Sequence, residues 1–253
     1  MPPLCLHLSI AYEAADLLRH PTIDQNMGYY LIGATSPDVH IVAGSSRKET
    51  HFVDLEDEAL ESGTILIFKA HPNLAKGNKL DLATKSFVAG YLSHLVTDEA
   101  WIVDVYRPSF GIASPLSGDP MANMLDRLLQ FELDRRERED RAKMEAIRAE
   151  ICNWEPEVNI DFIAPLILRQ WRDFICAAAA RESSLAFFPL FAQRFLVPRQ
   201  KIDVEQLEPF LSSMPAKVDW IIQYVTPQRL TAFREKAKSQ SVAIAREYLG
   251  EDN

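Results

Sequence analysis

The stretch that decides the fold is Asp81-Leu82-Ala83-Thr84-Lys85-Ser86-Phe87-Val88-Ala89-Gly90-Tyr91-Leu92-Ser93-His94-Leu95-Val96-Thr97-Asp98-Glu99-Ala100-Trp101-Ile102-Val103-Asp104-Val105-Tyr106. Its large apolar residues recur at intervals of three and four, which is the period of a helix with a buried face. Asp81 lies in the first turn, where a negative charge suits the helix dipole. Pro108 and Gly111 follow as end signals. The stretch therefore predicts one long helix over residues 81–106.

The same helical period continues outward in both directions. Glycine is scarce, 9 of 253 residues, which also favours helices over sheet. We expect further helices that end near Arg19, cover residues 26–35, occupy part of 50–70, run from about Pro120 to Ile151, and recur within 158–249. The sequence thus predicts an all-α multi-helix bundle. Residues 1–153 would form one helical region, with a C-terminal region, residues 154–253, packed on it in the same compact domain.

Composition excludes several classes of protein. The chain has 36 acidic and 27 basic residues, a net charge of −9, so we expect no broad nucleic-acid surface. The longest stretch without a charged residue, Gln25 to Pro37, covers 13 residues, fewer than the roughly 20 of a transmembrane helix. Cys5, Cys152 and Cys176 lack the spacing of a redox or zinc motif, which makes a disulfide framework unexpected. With no leader-like N-terminus, these features predict a cytoplasmic protein.

The long helix carries an imidazole and a carboxylate four residues apart, His94 and Asp98. Residues at that spacing share a helix face, and their side chains could hold a divalent cation. A carboxylate on this apolar face needs a partner, and a nearby arginine or a simple His–Asp hydrogen bond would also serve.

Further residues of compatible chemistry lie in the same half of the chain. All six histidines fall within the first 94 residues. Candidate ligands are His7 on the apolar stripe of the first helix, Asp38 in the turn Ser36-Pro37-Asp38, and His51 in Thr50-His51-Phe52. Each alone is more typical of a core or turn residue. Together they favour a site for zinc, which binds His nitrogen and Asp oxygen.

The order of these elements resembles the zinc-dependent phospholipase C family, which is related to the S1/P1-type nucleases. The most telling pieces are Gly33-Ala34-Thr35-Ser36-Pro37-Asp38 and Gly90-Tyr91-Leu92-Ser93-His94-Leu95-Val96-Thr97-Asp98, and the likeness covers roughly residues 4–106. The resemblance implies the family's all-α fold and hydrolysis of a phosphate ester. It also implies that Asp38, His51, His94 and Asp98 bind one zinc ion, with Asp98 bridging to a second ion held by His7.

The chain departs from the family downstream of this helix. It has no histidine after His94, although the family's fullest site has two more histidines and a glutamate there. One or two ions, zinc or another divalent metal, are therefore expected rather than three. Replacement oxygen ligands would have to come from among Glu99, Asp104, Asp126 and Glu132.

The resulting hypothesis is a metal-dependent phosphoesterase. Asp38 or Asp98 would be the catalytic base, and the partner would be a small phosphodiester or phosphomonoester. A basic residue would help to neutralise the charge of the substrate, and Arg47, Lys48, Lys85 and Arg107 are equally eligible. The alternative is a non-catalytic helical protein that keeps a structural metal or a degenerate site and acts as a binding module. A third class, the His-Asp phosphohydrolases, needs adjacent His and Asp residues, and this sequence contains no His-Asp dipeptide.

The mixed-sign run Asp134-Arg135-Arg136-Glu137-Arg138-Glu139-Asp140-Arg141 is the most highly charged part of the chain. Its opposite charges lie three and four residues apart, as on a helix face stabilised by ion pairs. We therefore expect a solvated helix face here.

Overall fold

The chain is all-α in the computed structural model, which describes residues 3–52, 61–75, 77–155, 157–197 and 204–250. Within these ranges no residue lies in a β-strand. The helices are α1 Leu4–Leu18, α2 Pro21–Asp24, α3 Met27–Gly33, α4 His40–Ala43, α5 Lys48–His51, α6 Gly63–Ala70, α7 Leu82–Trp101, α8 Arg107–Ser109, α9 Ala122–Glu137, α10 Arg141–Cys152, α11 Pro165–Ala179, α12 Phe188–Phe191, α13 Val204–Ser212, α14 Met214–Val225 and α15 Pro227–Leu249. This confirms the predicted all-α fold.

The long helix predicted over 81–106 is the central element of the molecule. Asp81 caps α7, because its Oδ1 accepts a hydrogen bond from the backbone N–H of Thr84 at 2.7 Å. The helix continues without a break through a π-helical turn, Ile102–Tyr106, into the short α8. Nearly the whole of α7 is buried, with α3 and α15 packed most closely against it.

Two glycines let α3 and α7 cross with their backbones in contact. A Cβ atom at Gly90 would lie 1.9 Å from the carbonyl oxygen of Tyr30, and one at Gly33 would lie 2.0 Å from that of Phe87. No side chain fits at either position, so glycine is required for this approach. The crossing brings the end of α3 beside the middle of α7.

The apolar residues form two cores that share α1 and α7. One face of α1, with Leu8 and Ala11, packs in a core with α3, α10 and α11. The other face, with Leu6 and Ile10, packs in a core with α9, α14 and α15. Helices from the C-terminal region thus contribute to both cores and hold the two long N-terminal helices in place. The division at residue 153 stays a prediction.

Two local expectations change in the structure. The helix expected from Pro120 to Ile151 is two helices, because α9 ends at Glu137 and Asp140 caps the start of α10 by accepting from Lys143 N–H at 3.0 Å. Cys152 and Cys176 form a disulfide between α10 and α11, against our expectation from the cysteine spacing. Packing of two helices brings these residues together across 24 positions of sequence, for which no local pattern exists. Of the stretch 50–70, residues 53–60 lie outside the described residues.

The mixed-sign run is more deeply packed than a solvated face. It spans the break between α9 and α10, and its i,i+4 pair Asp134–Arg138 is present at 2.6 Å. However, Asp134 also accepts from the backbone N–H of Cys5 at 2.7 Å, which ties α9 to the start of α1. None of the helices among the described residues is long and apolar enough to cross a membrane.

Candidate metal centre

Five side chains predicted as ligands come together between α1, α5 and α7. His7 lies on α1, Asp38 in a 3₁₀ turn formed by Ser36–Val39, His51 at the end of α5, and His94 and Asp98 one turn apart on α7. All are buried. They form two overlapping groups that share His94, and the possible ligand atoms of each group lie within 4.8 Å of one another.

The two central histidines are held by backbone carbonyls. His94 Nδ1 lies 2.9 Å from the carbonyl oxygen of Ala34, and His51 Nδ1 lies 3.2 Å from that of Arg47. A carbonyl oxygen can only accept, so each Nδ1 donates and each Nε2 faces the cluster. Metal-binding histidines are oriented in this way, with the other ring nitrogen donating to a carbonyl or carboxylate. The α3–α7 crossing is what brings Ala34 to His94.

The two Nε2 atoms point at each other. His94 Nε2 lies 3.3 Å from His51 Nε2. Because both Nδ1 atoms donate, each Nε2 carries either a lone pair or an added proton that makes its ring a cation. Two lone pairs at this distance repel each other. The arrangement therefore favours a shared cation between the two nitrogens, which can be a proton or a metal ion.

The carboxylates complete the surroundings of this point. Asp98 Oδ2 lies 3.4 Å from His51 Nε2 and 3.6 Å from His94 Nε2, and Asp38 Oδ1 lies 3.5 Å from His51 Nε2. A tetrahedral zinc ion with bonds of about 2.0–2.1 Å places its ligand atoms roughly 3.3–3.4 Å apart. The measured separations are close to that value. The donor set of two nitrogens and two oxygens also suits zinc.

The second oxygen of Asp98 faces the fifth residue. Asp98 Oδ1 lies 3.3 Å from His7 Nε2, and the His7 ring stacks on His94 with centroids 3.9 Å apart. Apart from this contact with each other, neither atom has a hydrogen-bond partner among the described residues. Buried polar atoms are rarely left without a partner. His7 Nε2 and Asp98 Oδ1 could therefore act as ligands of a further cation.

Burial and mutual charge shift the pKa values within the cluster. Burial, together with the charge of His94, lowers the pKa of His7 to about 4, so that ring is neutral at pH 7. Burial alone would lower the pKa of His94 and raise that of Asp98. The interaction between these two groups outweighs burial, so the pKa of His94 is raised and that of Asp98 is held well below its usual range. The carboxylates are ionised and attract positive charge to this point.

Arg47 is a member of the cluster that sequence reasoning did not single out. Its Nη2 donates to Asp98 Oδ2 at 2.9 Å, and its carbonyl holds His51. Four basic residues were eligible from the sequence to neutralise the substrate charge, and no pattern favoured one of them. The available signal was its position four residues before His51, which places it one helical turn away, immediately before the start of α5.

The cluster reaches the surface on the side of Asp38 and Arg47. The side chains of these residues are 13% and 18% exposed, whereas those of His51 and His94 are 0% exposed. His40 lies on the same side, with its ring centroid 5.6 Å from that of His51 and its Nδ1 3.2 Å from the carbonyl oxygen of Pro37. Any substrate would therefore approach past Asp38 and Arg47.

The acidic residues considered as replacement ligands are engaged elsewhere. Glu99 accepts from Ser62 Oγ and from the backbone N–H of Gly63, both at 2.7 Å, at the start of α6. Asp104 pairs with Lys236 at 2.8 Å. The remaining two contact α7 and α9 side chains: Asp126 accepts from Trp101 Nε1, and Glu132 pairs with Arg135 and Arg136. The suggestion that these residues extend the metal site is not supported.

Comparisons with known proteins found no relative of this chain. The chain matches no protein-family model, no curated protein and no solved structure.

Proposed function

We propose that this protein is a metal-dependent phosphoester hydrolase whose metal is zinc. The observation that carries the proposal is the convergence of His51 Nε2, His94 Nε2 and carboxylate oxygens of Asp38 and Asp98 at the spacing of zinc ligands. When bound, zinc supplies a Lewis acid for a phosphoryl oxygen and lowers the pKa of a ligated water from 15.7 toward about 7. The likeness of the motifs to the zinc-dependent phospholipase C family supports the same reaction class.

The two aspartates would have different roles. Asp98 is the more deeply buried and lies within 3.6 Å of His7, His51 and His94, so it holds the cluster together. Asp38 lies where the cluster reaches the surface, and its pKa is lowered: burial by itself would raise it, but a hydrogen bond from His51 and the charge of His94 outweigh burial. It is its position at the exposed edge of the cluster, where water can reach the ionised carboxylate, that makes Asp38 the better candidate for the catalytic base.

The substrate proposed is a small phosphodiester or phosphomonoester. The net charge of −9 gives no support for binding a long nucleic acid. One or two metal ions per chain are expected: one among Asp38, His51, His94 and Asp98, and a second between Asp98 and His7.

A second candidate function is a non-catalytic protein with a structural metal. One observation favours it: four protein groups, Asp38, His51, His94 and Asp98, surround the first metal position, and four protein ligands are typical of structural zinc. A catalytic zinc keeps one position open for water. The two candidates therefore differ in whether Asp38 stays on the metal or leaves room for water.

Hydrolysis assays on the zinc-loaded chain test the proposal. We expect cleavage of p-nitrophenyl phosphate or bis(p-nitrophenyl) phosphate, its loss on chelation, and a loss of roughly 100-fold or more in Asp38→Asn. Asp104→Asn is the matched control, because Asp104 pairs with Lys236 outside the cluster. A chain that holds stoichiometric zinc but cleaves neither ester, nor other phosphate esters in a broad screen, would favour the structural metal instead.

A further inference from the structure

Arg47 contacts the cluster through its side chain and through its backbone carbonyl, which accepts from His51 Nδ1. Its guanidinium donates to Asp98 Oδ2 at 2.9 Å, which is the same oxygen that lies 3.4 Å from His51 Nε2 and 3.6 Å from His94 Nε2. A metal ion bound by these atoms and the Arg47 guanidinium would compete for one carboxylate oxygen. Binding of the metal would therefore weaken the hydrogen bond between Arg47 and Asp98.

The charge of the loaded site depends on this arginine. Asp38 and Asp98 contribute two negative charges, which one divalent ion would neutralise, while histidine ligands are uncharged. Arg47 is the one Lys or Arg among the described residues that forms an ion pair with either carboxylate. With a single metal ion the cluster would be neutral without Arg47 and would carry a charge of about +1 with it. An anionic substrate would be attracted to the cluster that carries this positive charge.

The guanidinium has hydrogen-bonding capacity to spare. Its Nε is buried and has no hydrogen-bond partner among the described residues. The planar guanidinium presents its N–H groups as a fork that matches two oxygens of a phosphate. Its side chain is 18% exposed, against 4% for Asp98, so it lies on the side from which a ligand would enter.

We propose that Arg47 is the anion-binding residue of this site: it is released from Asp98 when the metal binds and then pairs with the phosphate group of the substrate. This inference rests on the proposed function, because it requires a metal in the cluster. Arg47 acts as a charge-balancing partner of Asp98 in the metal-free chain and as a phosphate ligand in the loaded one. Binding of metal and of phosphate should consequently reinforce each other.

Calorimetric titration with inorganic phosphate tests the inference without measuring turnover. The full chain is loaded with zinc, freed of excess metal and titrated, and its zinc content and thermal melt are recorded alongside. We expect Arg47→Gln to keep its zinc and to bind phosphate roughly tenfold or more weakly than wild type. Arg47→Lys, which keeps the charge but loses the fork, should fall between the two.

A control variant tests whether the loss of phosphate binding is specific to Arg47. Lys85→Gln removes one positive charge from α7, nine residues and roughly 13 Å along the helix from His94, and should bind phosphate as wild type does. If Arg47→Gln holds zinc and binds phosphate as tightly as wild type, the inference is wrong and the proposed function stands. Equal phosphate binding with and without zinc would also contradict it. A wild-type chain that takes up no metal would contradict both the inference and the proposed function.

Discussion

Two clusters of charge in this protein, one buried and one partly buried, each contain two acidic residues but are completed differently. The ion network consists of Glu13, Glu137, Lys143 and Arg234. Glu137 pairs with both Arg234 and Lys143, and Glu13 lies 2.6 Å from Arg234 and 3.2 Å from Lys143. The two carboxylates thus pair with two cations. The network has no net charge, and each charged group in it has a partner of opposite charge.

The charged groups of the candidate metal centre are not all paired in this way. Asp38 and Asp98 have one permanent cation between them, Arg47, and the three histidines can add charge only by taking up protons. Apart from their contact with each other, His7 Nε2 and Asp98 Oδ1 have no hydrogen-bond partner among the described residues. Buried ionised groups are costly unless they are paired. Carboxylate burial by itself therefore does not indicate a metal site. The charge that Arg47 leaves unbalanced in the cluster must come from a proton on a histidine or from a metal ion.

The largest effect should come from the helix crossing that builds the metal centre. In Gly90→Ala the new methyl group would lie 1.9 Å from the carbonyl oxygen of Tyr30, so α3 and α7 must separate. We expect a loss of about 3 kcal/mol or more in the free energy of unfolding, together with loss of metal, because Ala34 would no longer hold His94. Chemical denaturation and metal analysis measure the two effects.

Gly77→Ala is the matched control for that substitution. Its Cβ would lie 3.5 Å from the nearest atom, the carbonyl oxygen of Tyr248, which is ordinary contact. Gly77→Ala should be close to wild type in stability and metal content. A Gly90→Ala chain as stable as Gly77→Ala would show that the two helix backbones are not in contact.

The ion network should affect stability without affecting metal. Glu137→Gln leaves Arg234 and Lys143 with less negative charge in a partly buried setting. We expect a loss of about 1–3 kcal/mol, reduced from the value for a fully buried pair by solvent screening. Zinc content should equal that of wild type. A Glu137→Gln chain with less zinc would mean that the two clusters are coupled.

The smallest effect is the pH dependence that this network contributes. Burial alone would raise the pKa of Glu137, but the hydrogen bond and charge of Arg234 outweigh it and lower that pKa. Its contribution is therefore complete above the unfolded-state value of about 4.3 and is lost as pH falls through the lower folded-state value. Wild type and Glu137→Gln should differ most in denaturation midpoint near pH 6 and converge below about pH 4. A difference that grows toward acid would contradict this assignment.

Whether the sequence predicts a feature depends on how far apart along the chain the residues that determine it lie. The helix 81–106 and the facing pair His94 and Asp98 follow from local periodicity. His7, Asp38 and His51 are brought to that pair by tertiary packing, and their selection needed the resemblance of the motifs. Glycines at 33 and 90 were part of those motifs, but the reason for them, backbone contact between α3 and α7, is visible only in three dimensions.

Features without a local pattern could not be predicted. The disulfide between Cys152 and Cys176 depends on how α10 and α11 pack. The break after Glu137 lies in a run whose charges suit one continuous helix, and it is Asp140, as a cap, that begins a new one. Arg47 was one of four eligible basic residues, and its role depends on a contact with Asp98 across 51 positions of sequence.

The central claim is that the cluster binds metal, and the metal content of the purified chain tests it most directly. Wild type should contain one or two zinc ions per chain, and a folded His94→Ala/Asp98→Ala variant should contain none. The control is His71→Gln/Asp161→Asn, which removes another contacting His–Asp pair, 3.0 Å apart and outside the cluster, and should keep the wild-type content. Wild type without stoichiometric metal, even after zinc or manganese is added, would contradict the account.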